Sequence, residues 1–478
     1  MLKSNKGVLF KGGAWTSLSF IVVSLVYVLR ISVLTRYIDK SDFGLVAIVL
    51  FVLGFTNIFA DLGVSTALLS KKDVSKKEYS SLYWGGLFLS IVLYVIIFCA
   101  SPYLAAFYGY ALLKSLIPIM GIDIVISTLG RQFSVFMQKD LKFKELAFIK
   151  IASELISLLI DILLAINGFG IWTLVFSLLS SSLITLLLNF IISYKSHPLL
   201  FYFNFQESKP LYVVGFYQTG SQVLDYLSSQ IDILILGKVL PMAEMGVYSI
   251  IKTLVFRVYI SLNQIVTKVM IPVFASIQYD LVNFKSKFLK FVNFITIINT
   301  FFYLTIAVLS KSILFLFYGP NYVTDYKILQ ILCMWGVCSS IVSCSGGILI
   351  VSTGKTLIGF KWTQLRFIIN PLFVFIGAYY GGVIGVCIAQ SIFAFLSLFL
   401  YQIVVISKIL NNLKMSDYLK EIVYTIFRGL LLFTLFVFLN DYFIVSSHLV
   451  KIAVNVLVLL AIFSLMYFRK IVNHLKQL

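Results

Sequence analysis

Apolar runs of about 20 residues, the length that crosses a bilayer as a helix, recur fourteen times along this chain. They cover 12-34, 42-66, 80-100, 114-137, 146-166, 170-194, 211-238, 245-272, 288-310, 326-352, 357-378, 382-406, 421-440 and 446-468. Few features restrict a fold as severely. Inside hydrocarbon every backbone N–H and C=O must find its partner within the protein, and a helix does so within one segment. The expectation is an all-α polytopic membrane protein with fourteen transmembrane helices. Composition agrees: 60% of residues are hydrophobic and mean hydropathy is +1.01, against roughly 45–50% apolar in soluble domains.

A net charge of +19 would point a soluble chain toward nucleic acid, but its placement points to membrane topology instead. Lys3, Lys6 and Lys11 precede span one, Lys71, Lys72, Lys76 and Lys77 follow span two, and Lys139, Lys142 and Lys144 follow span four. Continued to Arg469, Lys470 and Lys476, this alternation puts 23 cations in one set of connections and seven in the other. Cations collect on the cytoplasmic side of a membrane protein, so both termini are expected there, which requires an even number of spans. The run after Lys11 is too long for the core of a cleavable signal and is read as an anchor. The connections reach only about 15 residues, too few for a soluble domain, so any chemistry belongs inside the helix bundle.

The exits of spans one and seven repeat each other at an offset of 202. Leu34 meets Leu236, Arg36 meets Lys238, Ile38 meets Leu240, Asp42 meets Glu244 and Gly44 meets Gly246. LKFK at 141-144 and IGFK at 358-361 add a second trace. Six spans per copy gives both halves one orientation, related by a pseudo-two-fold axis along the membrane normal. The expected organisation is an N-lobe of spans 1-6 (1-200), a C-lobe of spans 7-12 (201-410) and two additional C-terminal helices (411-478).

Several spans carry polar groups that a bilayer penalises. In Val213–Lys238, the residues Gln218, Gln222, Asp225, Ser229 and Asp232 fall at helical spacing on one face. A carboxylate at membrane depth costs roughly 2.5 to 3.5 kcal/mol, so this face either walls a water-filled cleft or joins a neighbouring helix. Arg30 corresponds to Asp232 under the repeat; the two either close an outer gate together or each pair within their own lobe. Span eight contributes Lys252 and Arg257, and span eleven Arg366 with Asn370 one turn on. Asp61 ends span two with Asn57 one turn before it. Lys150, Glu154, Ser157 and Asp161 form a stripe in span five, with Lys150 and Glu154 placed to neutralise each other. Asp123, Ser127 and Arg131 share a face of span four. These last two sets read as internal polar networks. Cations in excess of structural need suggest an anionic cargo, and phosphate suits guanidinium and ammonium donors. Asp225, Asp232 and Asp161 are candidates for proton coupling, which the sequence leaves open.

Other motifs fail. GGILIVSTGKT at 346-356 has six residues between Gly347 and Gly354 where a phosphate loop needs four. His197, His448 and His474 lie far apart, and the five cysteines show no zinc or disulfide spacing. No metal, cofactor, catalytic residue or nucleic-acid partner is expected, and the chain does not read as an enzyme.

RYIDKSDFGL (36-45), DLGVSTALL (61-69), RQFSVFMQKDLKFKELA (131-147), GFGIWTLV (168-175) and DILILGKVLPMAEMGVYS (232-249) resemble the polysaccharide exporters of the O-antigen flippase type. That superfamily also holds multidrug and toxin extrusion antiporters and lipid II flippases. The resemblance implies two six-helix lobes, a cationic cavity, and movement of undecaprenyl-pyrophosphate-linked oligosaccharide repeat units across a bacterial cytoplasmic (inner) membrane by alternating access. Membrane lipids, and the polymerase and glycosyltransferases of the same pathway, are the implied partners. Arg30, Asp232 and the span-eight cations are the implied cavity residues. A drug or cation antiporter is the alternative, for which a carboxylate-rich cavity with few cations would be expected. A membrane-embedded polymerase or ligase is a third reading, for which the extracytoplasmic loops are too short.

Overall fold

The structure is a computed structural model that describes residues 2–71, 74–194, 199–410, 413–442, 455–456, 458–463 and 466–467. Among these residues every regular element is helical. In chain order they are α1 (Leu2–Leu34), α2 (Lys40–Asp61), α3 (Val64–Ser70), α4 (Lys76–Tyr108), α5 (Leu113–Lys139), α6 (Phe143–Ile166), α7 (Ile171–Ser193), α8 (Phe205–Val239), α9 (Met242–Ser276), α10 (Leu281–Val308) and α11 (Ser310–Tyr318). A 3₁₀ turn, Pro320–Asp325, leads to α12 (Tyr326–Thr353) and α13 (Thr356–Tyr401). A π-helical stretch, Gln402–Ile406, the single turn α14 (Ser407–Ile409) and α15 (Met415–Tyr442) follow.

Eight helical segments among the described residues are long and apolar enough to cross a membrane. The longest such stretch, Thr356–Ile409, holds spans eleven and twelve. Helical dihedrals fail within α13 only at Gly381 and Gly382, so the chain doubles back there as two passes joined by a tight turn. Pro371 leaves its surroundings helical. Span fourteen lies mostly outside the described residues. Leu459, Phe463 and Tyr467 within it, spaced four apart, pack with Ile297, Leu304, Val308 and Phe436 in one buried cluster.

The chain divides into two compact units, Met1–Gly246 and Val247–Leu478. In the first, α1 packs on α6, α4 on α5, and α7 on both α5 and α6, while α8 lies against α2, α3 and α4. In the second, α12 packs on α10 and α13, and α15 on α10. Span two ends earlier than its apolar run. Leu62 (φ 41°) and Gly63 (φ 62°) both turn left-handed, and α3 starts anew at Val64. The break sits where α8 crosses: a Cβ on Gly215 would stand 1.9 Å from the Leu62 carbonyl oxygen. Only a residue without a Cβ allows that approach. At its other end α2 meets the start of α9 in the same way, Gly44 against Met242 and Gly246 against Lys40.

Candidate functional site

The polar groups of the first unit assemble into two clusters. In one, Arg30 of α1 reaches across to α6: Nη2 lies 3.0 Å from Glu154 Oε2 and Nε 2.8 Å from Asp161 Oδ2. Asp161 is fully buried and accepts a second bond from Ser177 Oγ of α7, at 3.0 Å. Ser157 Oγ donates to the Ser177 carbonyl at 3.1 Å and lies 3.3 Å from Ser180 Oγ. Three helices are thus tied by one guanidinium, two carboxylates and three hydroxyls. A planar guanidinium suits this task because its fixed fork serves two acceptors at once.

Of the two expectations for Arg30, the structure shows the one within its own lobe, with Glu154 and Asp161 as its partners. It also corrects the Lys150–Glu154 pair: Glu154 binds Arg30, whereas Lys150 is exposed. An i, i+4 pair on a helix contributes only about 0.2–0.5 kcal/mol, and a half-buried guanidinium across the helix interface offers Glu154 the stronger partner.

The second cluster lies at the break after α2. Arg131 Nη1 of α5 is 3.5 Å from Asp61 Oδ1, and its Nη2 donates to Asn57 Oδ1 at 3.2 Å. Ser127 Oγ reaches the same Asn57 oxygen at 3.5 Å, and Ser65 of α3 donates to Asp61. A small cleft, lined among others by Asp61, Arg131, Gln132, Thr128 and Tyr212, opens beside them. Asp123, close enough to Arg131 to feel its charge, makes its hydrogen bond elsewhere. It accepts a bond from Ser182 of α7, so the shared face read on span four is divided between two neighbouring helices.

Serines 177 and 182 escaped the sequence reading, although the run SLLSSS at 177-182 interrupts an otherwise apolar helix. A hydroxyl can return its proton to the helix's own carbonyls, so such serines pass as neutral until a carboxylate is seen opposite them.

The stripe on α8 is divided by burial. Asp232 is 1% exposed, whereas Gln222, Asp225 and Ser229 are exposed; the side chain of Gln218 lies outside the described residues. Tyr226, next in the chain after Asp225, donates to the Phe51 carbonyl of α2 at 2.9 Å and holds α8 in place.

In the second unit Lys252 of α9 is 7% exposed, with Arg257 five residues on and half-buried. Tyr248 on the same helix donates to Gln390 Oε1 of α13 at 3.0 Å. Tyr303 of α10 donates to the Val255 carbonyl at 3.3 Å. Arg366 and Asn370 are half-buried on α13. The failed phosphate loop is helix here, the C-terminal turns of α12 closing on Gly354 (φ 69°). Four of the five cysteines are buried thiols. No cluster of three or more His, Cys, Asp or Glu suited to a metal occurs among the described residues.

Long apolar helices crossed by internally paired polar stripes define a multi-pass membrane protein. A lipid II flippase MurJ solved in an inward closed conformation has this fold: TM-score 0.69 at 17% identity, covering 97% of this chain and all of that one. The model of the polysaccharide biosynthesis protein family matches residues 33–326, and the chain belongs to that family. Its relatives include an uncharacterized membrane protein in the cps region of Klebsiella pneumoniae, 27% identical over 81% of both chains. Another is the lipopolysaccharide biosynthesis protein WzxC of Escherichia coli strain K12, 26% identical over 84% of this chain and 81% of that one.

Proposed function

We propose that the protein is a flippase for a lipid-linked oligosaccharide, moving undecaprenyl-pyrophosphate-bound repeat units from the cytoplasmic to the outer leaflet of the bacterial inner membrane by alternating access. The observation that carries this reading is that Lys252 is buried, and Arg257 and Arg366 half-buried, on the long helices α9 and α13 of a polysaccharide-family chain. An ammonium and two guanidinium groups at membrane depth are costly, and a pyrophosphate passing through gives them a function. Arg30 and Arg131 are held by carboxylates and act here as ties between helices. Gln218, Gln222 and Asp225 would line the path of the sugar, and Asp232 would gate it.

Fourteen spans in two six-helix lobes plus a terminal pair suit this mechanism. Gly44 and Gly246, equivalent under the 202-residue repeat, stand against each other at the crossing of α2 and α9. Equivalent positions meet in this way where a local two-fold axis passes, which supports the lobe symmetry.

Arg30, Glu154 and Asp161 carry one formal negative charge in excess. Asp161 Oδ1 is buried without a hydrogen-bond partner among the described residues, so Asp161 is the carboxylate at which a coupling proton would bind. Flux in proteoliposomes that ignores both pH and sodium gradients would remove coupling while leaving the flippase reading intact.

The decisive test is deletion of the gene with its neighbours intact, followed by extraction of lipid-linked saccharides. Accumulation on the cytoplasmic leaflet, reversed by the wild-type gene but not by a Lys252→Ala, Arg257→Ala, Arg366→Ala triple variant of normal abundance, is expected. Unchanged lipid-linked intermediates would reject the reading, and drug hypersensitivity in their place would favour the antiporter.

A further inference from the structure

The connection between α7 and α8 is not a slack tether. From Leu199 onward it lies along the first turns of α4, bound by its own backbone. The Leu200 N–H donates to Ser80 Oγ at 2.9 Å, the Asn204 N–H donates to Ser81 Oγ at 3.0 Å, and Trp84 Nε1 donates to the Leu200 carbonyl at 2.8 Å. Both serines are fully buried. Asn204 then caps α8, its side chain accepting from the Gln206 N–H at 3.0 Å.

A segment fixed this firmly presents a defined face, and that face is apolar. Phe201 is 97% exposed, Phe203 58% and Phe205 54%, whereas Tyr202 and Asn204 between them turn inward. Phe201 stacks on Trp84 with centroids 5.1 Å apart. Exposed lysines frame the strip: Lys76 and Lys77 at the start of α4 and Lys209 in α8. Lys77 Nζ also stands 5.3 Å over the Tyr202 ring. Three exposed phenylalanines facing water would be a liability. Beside a membrane span the physical setting differs. The 33 residues of α4 reach about 50 Å, against a hydrocarbon core of about 30 Å. The first turns of α4, with the strip bound to them, therefore extend into the headgroup zone, where aromatic rings are favoured and lysines meet lipid phosphates.

We propose that residues 199–205 form an interfacial anchor. Phe201, Phe203 and Phe205 insert at the headgroup–acyl boundary of an anionic leaflet, Lys76, Lys77 and Lys209 contact its phosphates, and the anchor sets the depth of α8, the helix that bears the polar stripe. This surface does not depend on which substrate the protein carries.

Nitroxide depth measurements test it on the full-length protein. Cys99, the one exposed cysteine among the described residues, is replaced by Ser. A single label is then introduced by Phe201→Cys, Tyr202→Cys or Phe203→Cys, and the protein is reconstituted in phosphatidylethanolamine–phosphatidylglycerol vesicles. Labels at 201 and 203 are expected to collide severalfold more with oxygen, relative to a water-soluble nickel chelate, than the label at 202. Exchanging phosphatidylglycerol for phosphatidylcholine is expected to reduce the difference. Free access of the chelate to 201 and 203 would overturn the anchor, and so would immobilised labels that collide with neither reagent, the signature of a protein partner on this face. Depth that ignores lipid charge would overturn the role of the lysines.

Discussion

Arg30 shows most directly how a charge is tolerated in this protein. Its guanidinium is flanked by Glu154 at 3.0 Å and Asp161 at 2.8 Å, and removing it would leave two carboxylates facing each other in a nearly dry site. Breaking a buried ion pair by deleting one partner costs about 3–5 kcal/mol. Arg30→Ala is therefore expected to lower the unfolding temperature in detergent strongly. Arg30→Ala with Asp161→Asn should recover much of that loss, because one unpaired charge disappears. A double variant no more stable than the single one would show that the pair does not couple. Lys150→Ala should change little, since Lys150 is exposed and Glu154 is bound elsewhere.

Helix crossings in the first unit are set by absent side chains as much as by present ones. A Cβ on Gly246 would stand 1.7 Å from the Lys40 carbonyl oxygen, whereas a Cβ on Gly220 in α8 would meet nothing within 4 Å. Gly246→Val is expected to force α2 and α9 apart and to reduce the yield of folded protein severely, as judged by gel filtration of a fluorescent fusion. Gly220→Ala should be neutral or stabilising by up to about 1 kcal/mol, the helix-propensity difference between the two residues. Equal behaviour of the two variants would contradict the close crossing. The same reasoning explains why the end of span two was misplaced. Apolar content continues through DLGVSTALL, so hydropathy sees no boundary, while the left-handed pair Leu62–Gly63 that ends α2 is fixed by the helix crossing beside it.

Charge asymmetry carries an expectation about the orientation of the whole molecule, which labelling tests. Tyr279, 92% exposed, follows α9 on the lysine-rich side, and Tyr379, 72% exposed, precedes the Gly381–Gly382 turn on the other. With Cys99 replaced by Ser, a membrane-impermeant thiol reagent applied to spheroplasts should label Tyr379→Cys directly, and Tyr279→Cys only after permeabilisation. The reverse pattern would invert the proposed topology, and with it the direction of flipping.

Hydrophobic periodicity reported the all-helical membrane class from the sequence, because burying apolar surface and pairing every backbone amide leave one solution for runs of this length. It also separated spans eleven (357-378) and twelve (382-406), between which the structure turns at Gly381 and Gly382. Which polar groups face one another was not legible. Lys150 and Arg30 are equally plausible partners for Glu154 along a line of letters. Only the packing of α1, α6 and α7 decided between them, because an ion pair is determined by distance and desolvation, and both are properties of neighbours remote in the chain.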